Sequence, residues 1–140
     1  MLQQQTRPTA LVIEDDDLMR DLVAEILARA GYQVYQAVNG IDGMAQFTAL
    51  LPDLVITDVF MPERDGIEVL RDSKAANLAT RVVVISGGSP MLAHMDFLEV
   101  ASKLGADAVV AKPFSPAQLL AAATPTDWDR RSWTHERSAA

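Results

Sequence analysis

Four short apolar segments of this chain each end in a polar side chain of a different chemical kind. The segments span residues 11–13, 54–57, 82–85 and 108–111, and the polar residues that follow them are Glu14 with Asp15, Asp58, Ser86 and Lys112. If the segments are parallel strands of one sheet, these groups meet at the carboxyl edge, where open α/β sheets hold ligands. Together they contain the parts needed to bind a divalent cation and move a phosphoryl group.

The acidic residues predict a cation site. Carboxylates crowded at one edge repel each other, which raises their pKa values unless a cation lies between them. Hard oxygen ligands without His or Cys nearby favour Mg²⁺ over zinc or copper, and Glu14, Asp15 and Asp58 suit that role. Asp16 and Asp17 are explained more simply as acids at a helix start, where they favour the helix dipole.

Asp58 is also a candidate nucleophile, because carboxylates can form aspartyl-phosphate intermediates. The ammonium of Lys112 can pair with Asp58 at rest and with phosphate oxygens afterwards. Ser86 offers a hydroxyl that can hydrogen-bond a phosphoryl oxygen. Each signal is weak when taken singly, but their order along the chain makes the combination specific.

The elements that must position these residues follow from periodicity. Apolar segments begin near residues 10, 32, 54, 82 and 108, and stretches of helical period separate them. Val, Ile and Leu without alternation indicate strands buried on both faces, which predicts a doubly wound parallel (βα)5 sheet of the α/β class. Helical spacing predicts one apolar face for the first helix: Leu18, Leu22, Val23, Ile26 and Leu27.

Local signals bound several of these elements. Gly31 stands where a left-handed helix cap is needed, and alternation over residues 32–37 is typical of an edge strand. Asn39-Gly40 resembles a hairpin turn, but Ile41, Met44, Ala45 and Leu50 continue at helical spacing and favour a helix instead. A fourth helix is predicted over 91–104, and a fifth runs from Pro116 to about residue 123.

Composition limits the class of protein. The chain has 140 residues, a net charge of −7 and no cysteine, which suits one globular domain and excludes disulfides and thiolate metal sites. The acidic balance argues against a nucleic-acid surface. No apolar run approaches a membrane span, and residues 1–8 lack the apolar part of a secretory signal, so we expect a cytoplasmic protein that does not bind membranes.

The expected division is a flexible N-terminus over 1–8, one domain over 9–123 and a poorly ordered tail over 124–140. The tail carries both tryptophans, Trp128 and Trp133, which leaves open that it docks on an apolar patch.

With these motifs the chain resembles the response-regulator receiver domains of two-component signalling. The resemblance covers about residues 9–123 and rests on 11–16, 58–62 with Asp65-Gly66, 85–88, and 111–114. It implies a flavodoxin-like fold with strand order 2-1-3-4-5. It also implies that Asp58 is the phosphoacceptor, that Glu14 and Asp15 are the acidic metal pair, and that the backbone carbonyl of Phe60 is a further Mg²⁺ ligand.

The same resemblance makes Ser86 the switch hydroxyl and Lys112 the phosphate-sensing cation, with a cis bond between Lys112 and Pro113. The sequence departs from the family pattern at Val109, where an aromatic residue is common. A valine cannot swing between buried and exposed positions as a ring does, which argues against a relay from Ser86 to that position. His94 lies on the predicted fourth helix, so we interpret it as a surface or packing residue.

The expected function is that of a stand-alone receiver. It takes a phosphoryl group from a histidine kinase or histidine phosphotransfer protein onto Asp58 in a Mg²⁺-dependent reaction. It then signals through the loop after Ser86 and the predicted fourth helix. It is expected to catalyse its own phosphorylation and slow hydrolysis without being an enzyme in the ordinary sense. Two alternatives remain open: a phosphorylation-independent binding module with a relic site, and a Mg²⁺-dependent phosphohydrolase working through an aspartyl-phosphate.

Overall fold

A computed structural model of the chain describes residues 7–58, 66–77, 79–86 and 105–124. Five parallel strands form one sheet in the order β2-β1-β3-β4-β5. The elements run in this order: β1 (Thr9–Ile13), α1 (Asp17–Arg29), β2 (Gln33–Ala37), α2 (Gly40–Leu50), β3 (Leu54–Asp58), α3 (Gly66–Ala76), β4 (Arg81–Ser86), β5 (Ala108–Ala111) and α4 (Pro116–Ala123). The α/β class and the strand order are therefore confirmed.

Helix α4 is the predicted fifth helix, and the predicted fourth helix over 91–104 lies outside the described residues. Pro116 occupies the first turn of α4, as predicted, and Ser115 caps it. Asn39 caps α2, so Asn39-Gly40 is a helix start and not a hairpin. Gly31 has a φ of 106°, the left-handed conformation expected after α1.

The sheet separates two apolar layers because successive strand residues point to opposite faces. On one side, Val12, Ile56 and Val83 pack beneath residues of α1 and α4. On the other side, Ile13, Val55 and Val84 pack with Phe47 of α2 and Leu70 of α3. Both faces of the central strands are thus buried, which is why their sequences read as unbroken apolar runs.

The predicted apolar face of α1 was partly wrong. Val23, Ile26 and Leu27 are buried, but Leu18 is 81% exposed and Leu22 is 47% exposed. Each helical residue advances about 100° around the axis, so Leu18 and Leu22 lie on the flank of the buried stripe, about 80° and about 40° from Ile26. The first helix therefore has a second apolar stripe that faces solvent.

Helix α2 contacts the sheet through a glycine. A Cβ atom added at Gly43 would lie 2.5 Å from Cδ1 and 2.8 Å from Cγ1 of Ile13, the last residue of β1. Phe47, one turn further along, is 1% exposed and fills the layer beside it. Among the described residues, no helix is long and apolar enough to cross a membrane.

Candidate functional site

The sheet register brings the polar strand ends together. Asp58 closes β3 opposite Ile85, and Ser86 closes β4 opposite Ala111. Glu14 follows β1, whose last residue Ile13 pairs with Thr57. Lys112 follows β5, and its backbone N–H donates to the Ser86 carbonyl at 2.7 Å. The parallel topology alone therefore places all four side chains at one edge.

A partly buried ion pair occupies the centre of this edge. The Lys112 ammonium donates to Oδ2 of Asp58 at 3.2 Å and lies 3.7 Å from Oε1 of Glu14. Asp58 is 7% exposed and Glu14 only 2% exposed. Among the described residues, one cation therefore serves two buried carboxylates, which leaves an excess of negative charge there.

The pKa values of Glu14 and Lys112 are both raised in this environment. Burial, followed by repulsion from Asp58, raises the pKa of Glu14 from 4.5 to about 7. Partial burial acts to lower the pKa of Lys112, but the neighbouring Asp58 and Glu14 carboxylates outweigh it. The net result is a raised pKa for Lys112. The ammonium is therefore held charged, whereas Glu14 is poised to titrate near neutral pH.

Three carboxylates converge beside the ion pair. Oxygen atoms of Glu14, Asp15 and Asp58 lie within 4.8 Å of one another. Asp15 is exposed while the other two are buried, so the cluster opens to solvent on one side. Oε1 of Glu14 is buried and has no hydrogen-bond partner among the described residues. An unsatisfied buried carboxylate oxygen in an all-oxygen cluster fits a hard divalent cation.

Ser86 follows Ile85, the residue of β4 that pairs with Asp58 on β3. Ser86 is 1% exposed, and its Oγ atom has no hydrogen-bond partner in the described part of the chain. Within the described residues, the hydrogen-bonding capacity of this buried hydroxyl is therefore unmet. The peptide bond between Lys112 and Pro113 is cis, as expected.

The segment between β1 and α1 is held by contacts that the sequence did not reveal. Asp16 caps α1 by accepting from the Leu18 N–H at 3.1 Å, and its own N–H donates to Oε2 of Glu14. Asp17 binds Arg20 at 2.6 Å, which agrees with its interpretation as a helix-start residue. Arg20 also donates to the Glu14 carbonyl at 2.8 Å. Only the i, i+3 spacing of Asp17 and Arg20 hinted at this arrangement.

Several predicted features fall outside the described residues: Phe60 and its carbonyl, the loop after Ser86, His94 on the predicted fourth helix, and the tail from residue 125 with both tryptophans. Val109 is described and half-buried, packed against the layer that contains Val84.

Comparison with known proteins agrees with this arrangement. The sequence pattern of the response regulator receiver domain matches residues 10–124. The chain is 34% identical over 104 residues to sporulation initiation phosphotransferase F of Bacillus subtilis, covering 74% of this chain and 81% of that protein. A crystal structure of a response regulator receiver domain protein from Clostridium thermocellum superimposes with a TM-score of 0.74 at 28% identity, covering 82% and 90% of the two chains.

Longer proteins match as well. The transcriptional regulatory protein DltR of Streptococcus agalactiae is 34% identical over 111 residues, which are 79% of this chain but 48% of DltR. The chain thus spans about half the length of that relative. The match over residues 10–124 includes every described element except the first residue of β1. The chain therefore belongs to the response regulator receiver domain family.

Proposed function

We propose that this chain is a stand-alone response regulator that accepts a phosphoryl group on Asp58 from a histidine kinase or a histidine phosphotransfer protein. The main supporting observation is the ion pair between Lys112 and Asp58, in which Nζ lies 3.2 Å from Oδ2. This pair lies in a cluster of three carboxylates at the carboxyl edge of the sheet. A nucleophile, a cation for the incoming phosphoryl oxygens and an oxygen cluster for a metal lie in one place.

In the proposed reaction a carboxylate oxygen of Asp58 bonds to phosphorus while the phosphorus–nitrogen bond of the donor phosphohistidine breaks. The electron pair of that bond stays on the imidazole nitrogen, which is then protonated. The product is an aspartyl-phosphate. This chain contributes positioning and charge, because phosphoryl transfer needs little covalent help from the protein. The same groups support slow self-catalysed hydrolysis, so the protein signals and does not turn over substrate.

The proposed Mg²⁺ ligands are the carboxylates of Glu14, Asp15 and Asp58 and the backbone carbonyl of Phe60. When bound, the ion neutralises charge on the phosphoryl oxygens. Two observations support this assignment: the carboxylates converge, and Oε1 of Glu14 has no hydrogen-bond partner within the described ranges. Mg²⁺ usually takes one or two direct carboxylates and keeps several waters, which suits a cluster that opens to solvent at Asp15.

Lys112 and Ser86 are proposed to report the modification. Lys112 binds Asp58 at rest and a phosphoryl oxygen afterwards, and the Ser86 hydroxyl donates to another phosphoryl oxygen. The backbone bond from Lys112 to Ser86 ties the two responders together. Their movement would bias the loop after Ser86 and the helix predicted beyond it, and so change the affinity for a downstream protein.

The output is proposed to be protein contact or phosphate relay in the cytoplasm. Sporulation initiation phosphotransferase F, whose name describes phosphotransfer, is matched over 81% of its length. DltR, named as a transcriptional regulator, is matched over only 48% of its length. The first relationship supports a receiver that works without an attached output domain.

The test is to incubate the protein with acetyl phosphate and Mg²⁺ and to measure its intact mass. The wild type should gain one phosphoryl group, D58N should gain none, and E25Q, which removes an exposed acid of α1, should behave as wild type. The absence of an adduct on the wild type would contradict the proposal and favour a phosphorylation-independent binding module with a relic site. Steady hydrolysis of generic phosphate esters would instead favour the phosphohydrolase.

A further inference from the structure

Arg20 links the two ends of the segment that carries the acidic pair. Its Nη1 atom donates to the backbone carbonyl of Glu14 at 2.8 Å, and its Nη2 atom binds Oδ1 of Asp17 at 2.6 Å. Glu14 follows the last residue of β1, and Asp17 is the first residue of α1. One side chain therefore spans the whole connection in which Glu14 and Asp15 lie.

The guanidinium is suited to this bridge in a way that other cations are not. It is planar and presents several N–H donors in a fixed geometry, whereas a lysine ammonium is a point charge on a flexible stem. The Arg20 side chain is 13% exposed, and Asp17 is 82% exposed. The bond to the carbonyl is consequently the shielded one, and it fixes the backbone at Glu14.

A second contact on the same segment makes the orientation of Glu14 depend on this backbone. The Asp16 N–H donates to Oε2 of Glu14 at 3.2 Å. The carbonyl of Glu14 is held by Arg20, and one side-chain oxygen of Glu14 is held two residues further on. The remaining oxygen, Oε1, is buried and has no hydrogen-bond partner in the described residues.

We propose that Arg20 is a positioning residue for the divalent-cation site, and this rests on the function proposed above. It holds the Glu14–Asp17 connection in the conformation in which Glu14 and Asp15 converge on Asp58. Arg20 donates to no metal-binding oxygen itself in the contacts described, because its partners are a backbone carbonyl and the Asp17 carboxylate.

Charge and positioning predict opposite signs when Arg20 is replaced. Arg20 is a cation close to a site for a dication, so its removal would tighten Mg²⁺ binding if its charge were all that mattered. Loss of positioning would weaken binding instead. Replacing residues that orient metal ligands typically costs 10–100-fold in metal affinity. The sign of the change therefore separates the two roles.

The experiment measures the dissociation constant for Mg²⁺ by titrating magnesium chloride into the full chain in a calorimeter. The variants are R20M, which keeps the apolar stem, and R20K, which keeps the charge but not the fork. R29M is the matched control, because Arg29 lies on the same helix in an exposed pair with Glu25, with the two side chains 80% and 61% exposed. Circular dichroism confirms that each variant is folded.

We expect R20M and R20K to weaken Mg²⁺ binding by about tenfold or more, with R29M within twofold of wild type. Unchanged or tighter binding in R20M would overturn the proposal, as would equal weakening in R29M. If R20M fails to fold, R20K decides by the same criteria. A wild type that binds no Mg²⁺ would defeat the proposed function and this inference together, whereas binding by wild type and R20M alike defeats only the inference.

Discussion

Replacing Glu14 by glutamine should stabilise the metal-free protein at alkaline pH. Glu14 is 2% exposed, and its pKa is raised from 4.5 to about 7 by burial and by Asp58. A carboxyl with a raised folded pKa binds its proton more tightly in the native state. Folding therefore takes up a proton between pH 4.5 and about 7, and the free energy of unfolding falls as the pH rises through that window.

The magnitude follows from the size of the shift. At about 1.4 kcal/mol for each unit of pKa, ionised Glu14 costs about 3 kcal/mol at pH 8 and less than about 1 kcal/mol at pH 5. E14Q removes the charge but keeps the shape and an acceptor for the Asp16 N–H. The variant should thus exceed wild type in stability by about 3 kcal/mol at pH 8, and the gap should shrink toward pH 5.

Urea unfolding followed by far-ultraviolet circular dichroism measures this gap, in EDTA at both pH values. E25Q is the matched control, because Glu25 is exposed and its pair with Arg29 should contribute less than about 1 kcal/mol. Added Mg²⁺ should stabilise wild type more than E14Q, since only wild type retains the full cluster. An E14Q variant no more stable than wild type at pH 8, or a stability gap of the same size at pH 5, would contradict the cost assigned to ionised Glu14.

Three further predictions concern neighbouring features. K112A should retain the fold but slow the phosphorylation of Asp58 by acetyl phosphate on the order of 100-fold, because one preorganised cation is lost; intact mass over time measures this. G43A should lower the free energy of unfolding by about 1–2 kcal/mol in urea, because overpacking against Ile13 outweighs the better helix propensity of alanine. L18D should slow phosphorylation by a histidine kinase but not by acetyl phosphate. Leu18 is exposed in the first turn of α1, beside the carboxyl edge of the sheet, where a protein donor but not a small molecule would contact it.

Two of these variants have a matched control in the same chain, and the third has a contradicting outcome. T48A changes an exposed position of α2 and should leave stability within about 0.5 kcal/mol of wild type, so equal losses in T48A and G43A would refute the steric argument. L51D alters a leucine that is 58% exposed at the other end of the sheet and should not affect the kinase. Wild-type phosphorylation rates in K112A would remove the cation from the mechanism.

The candidate site was predictable because it depends on topology more than on packing detail. Once the apolar runs are parallel strands, their carboxyl ends must share one edge, and Asp58, Ser86 and Lys112 meet there whatever the helices do. The unequal burial of Glu14 and Asp15 was not predictable. They are adjacent in sequence, and only the path of the chain from β1 into α1 makes one buried and the other exposed.

Two contacts that depend on the path of the backbone could not be predicted from the sequence either. Spacing marks Arg20 as a partner for Asp17 on a helix surface, but its bond to the Glu14 carbonyl requires the turn between strand and helix to be known. In the same way Gly43 is unremarkable in sequence, and its role emerges only from the distance to Ile13. Arg20 contacts Glu14, and Gly43 lies against Ile13, so both contacts are made where β1 ends and the Glu14 carboxylate begins the candidate site.

The wrong prediction for Leu18 and Leu22 of α1 shows that helical spacing of apolar residues does not by itself establish burial. Leu18 and Leu22 have helical spacing, and burial in the core is the usual cause of such a pattern. Here the core takes the neighbouring stripe through Val23 and Leu27, so the exposed stripe is not explained by folding. If Asp58 is the phosphoacceptor, as proposed, a phosphodonor protein must bring its phosphoryl group to Asp58, and α1 begins at that same edge of the sheet. We therefore expect the exposed leucines of α1 to contact such a donor protein, which is what L18D tests.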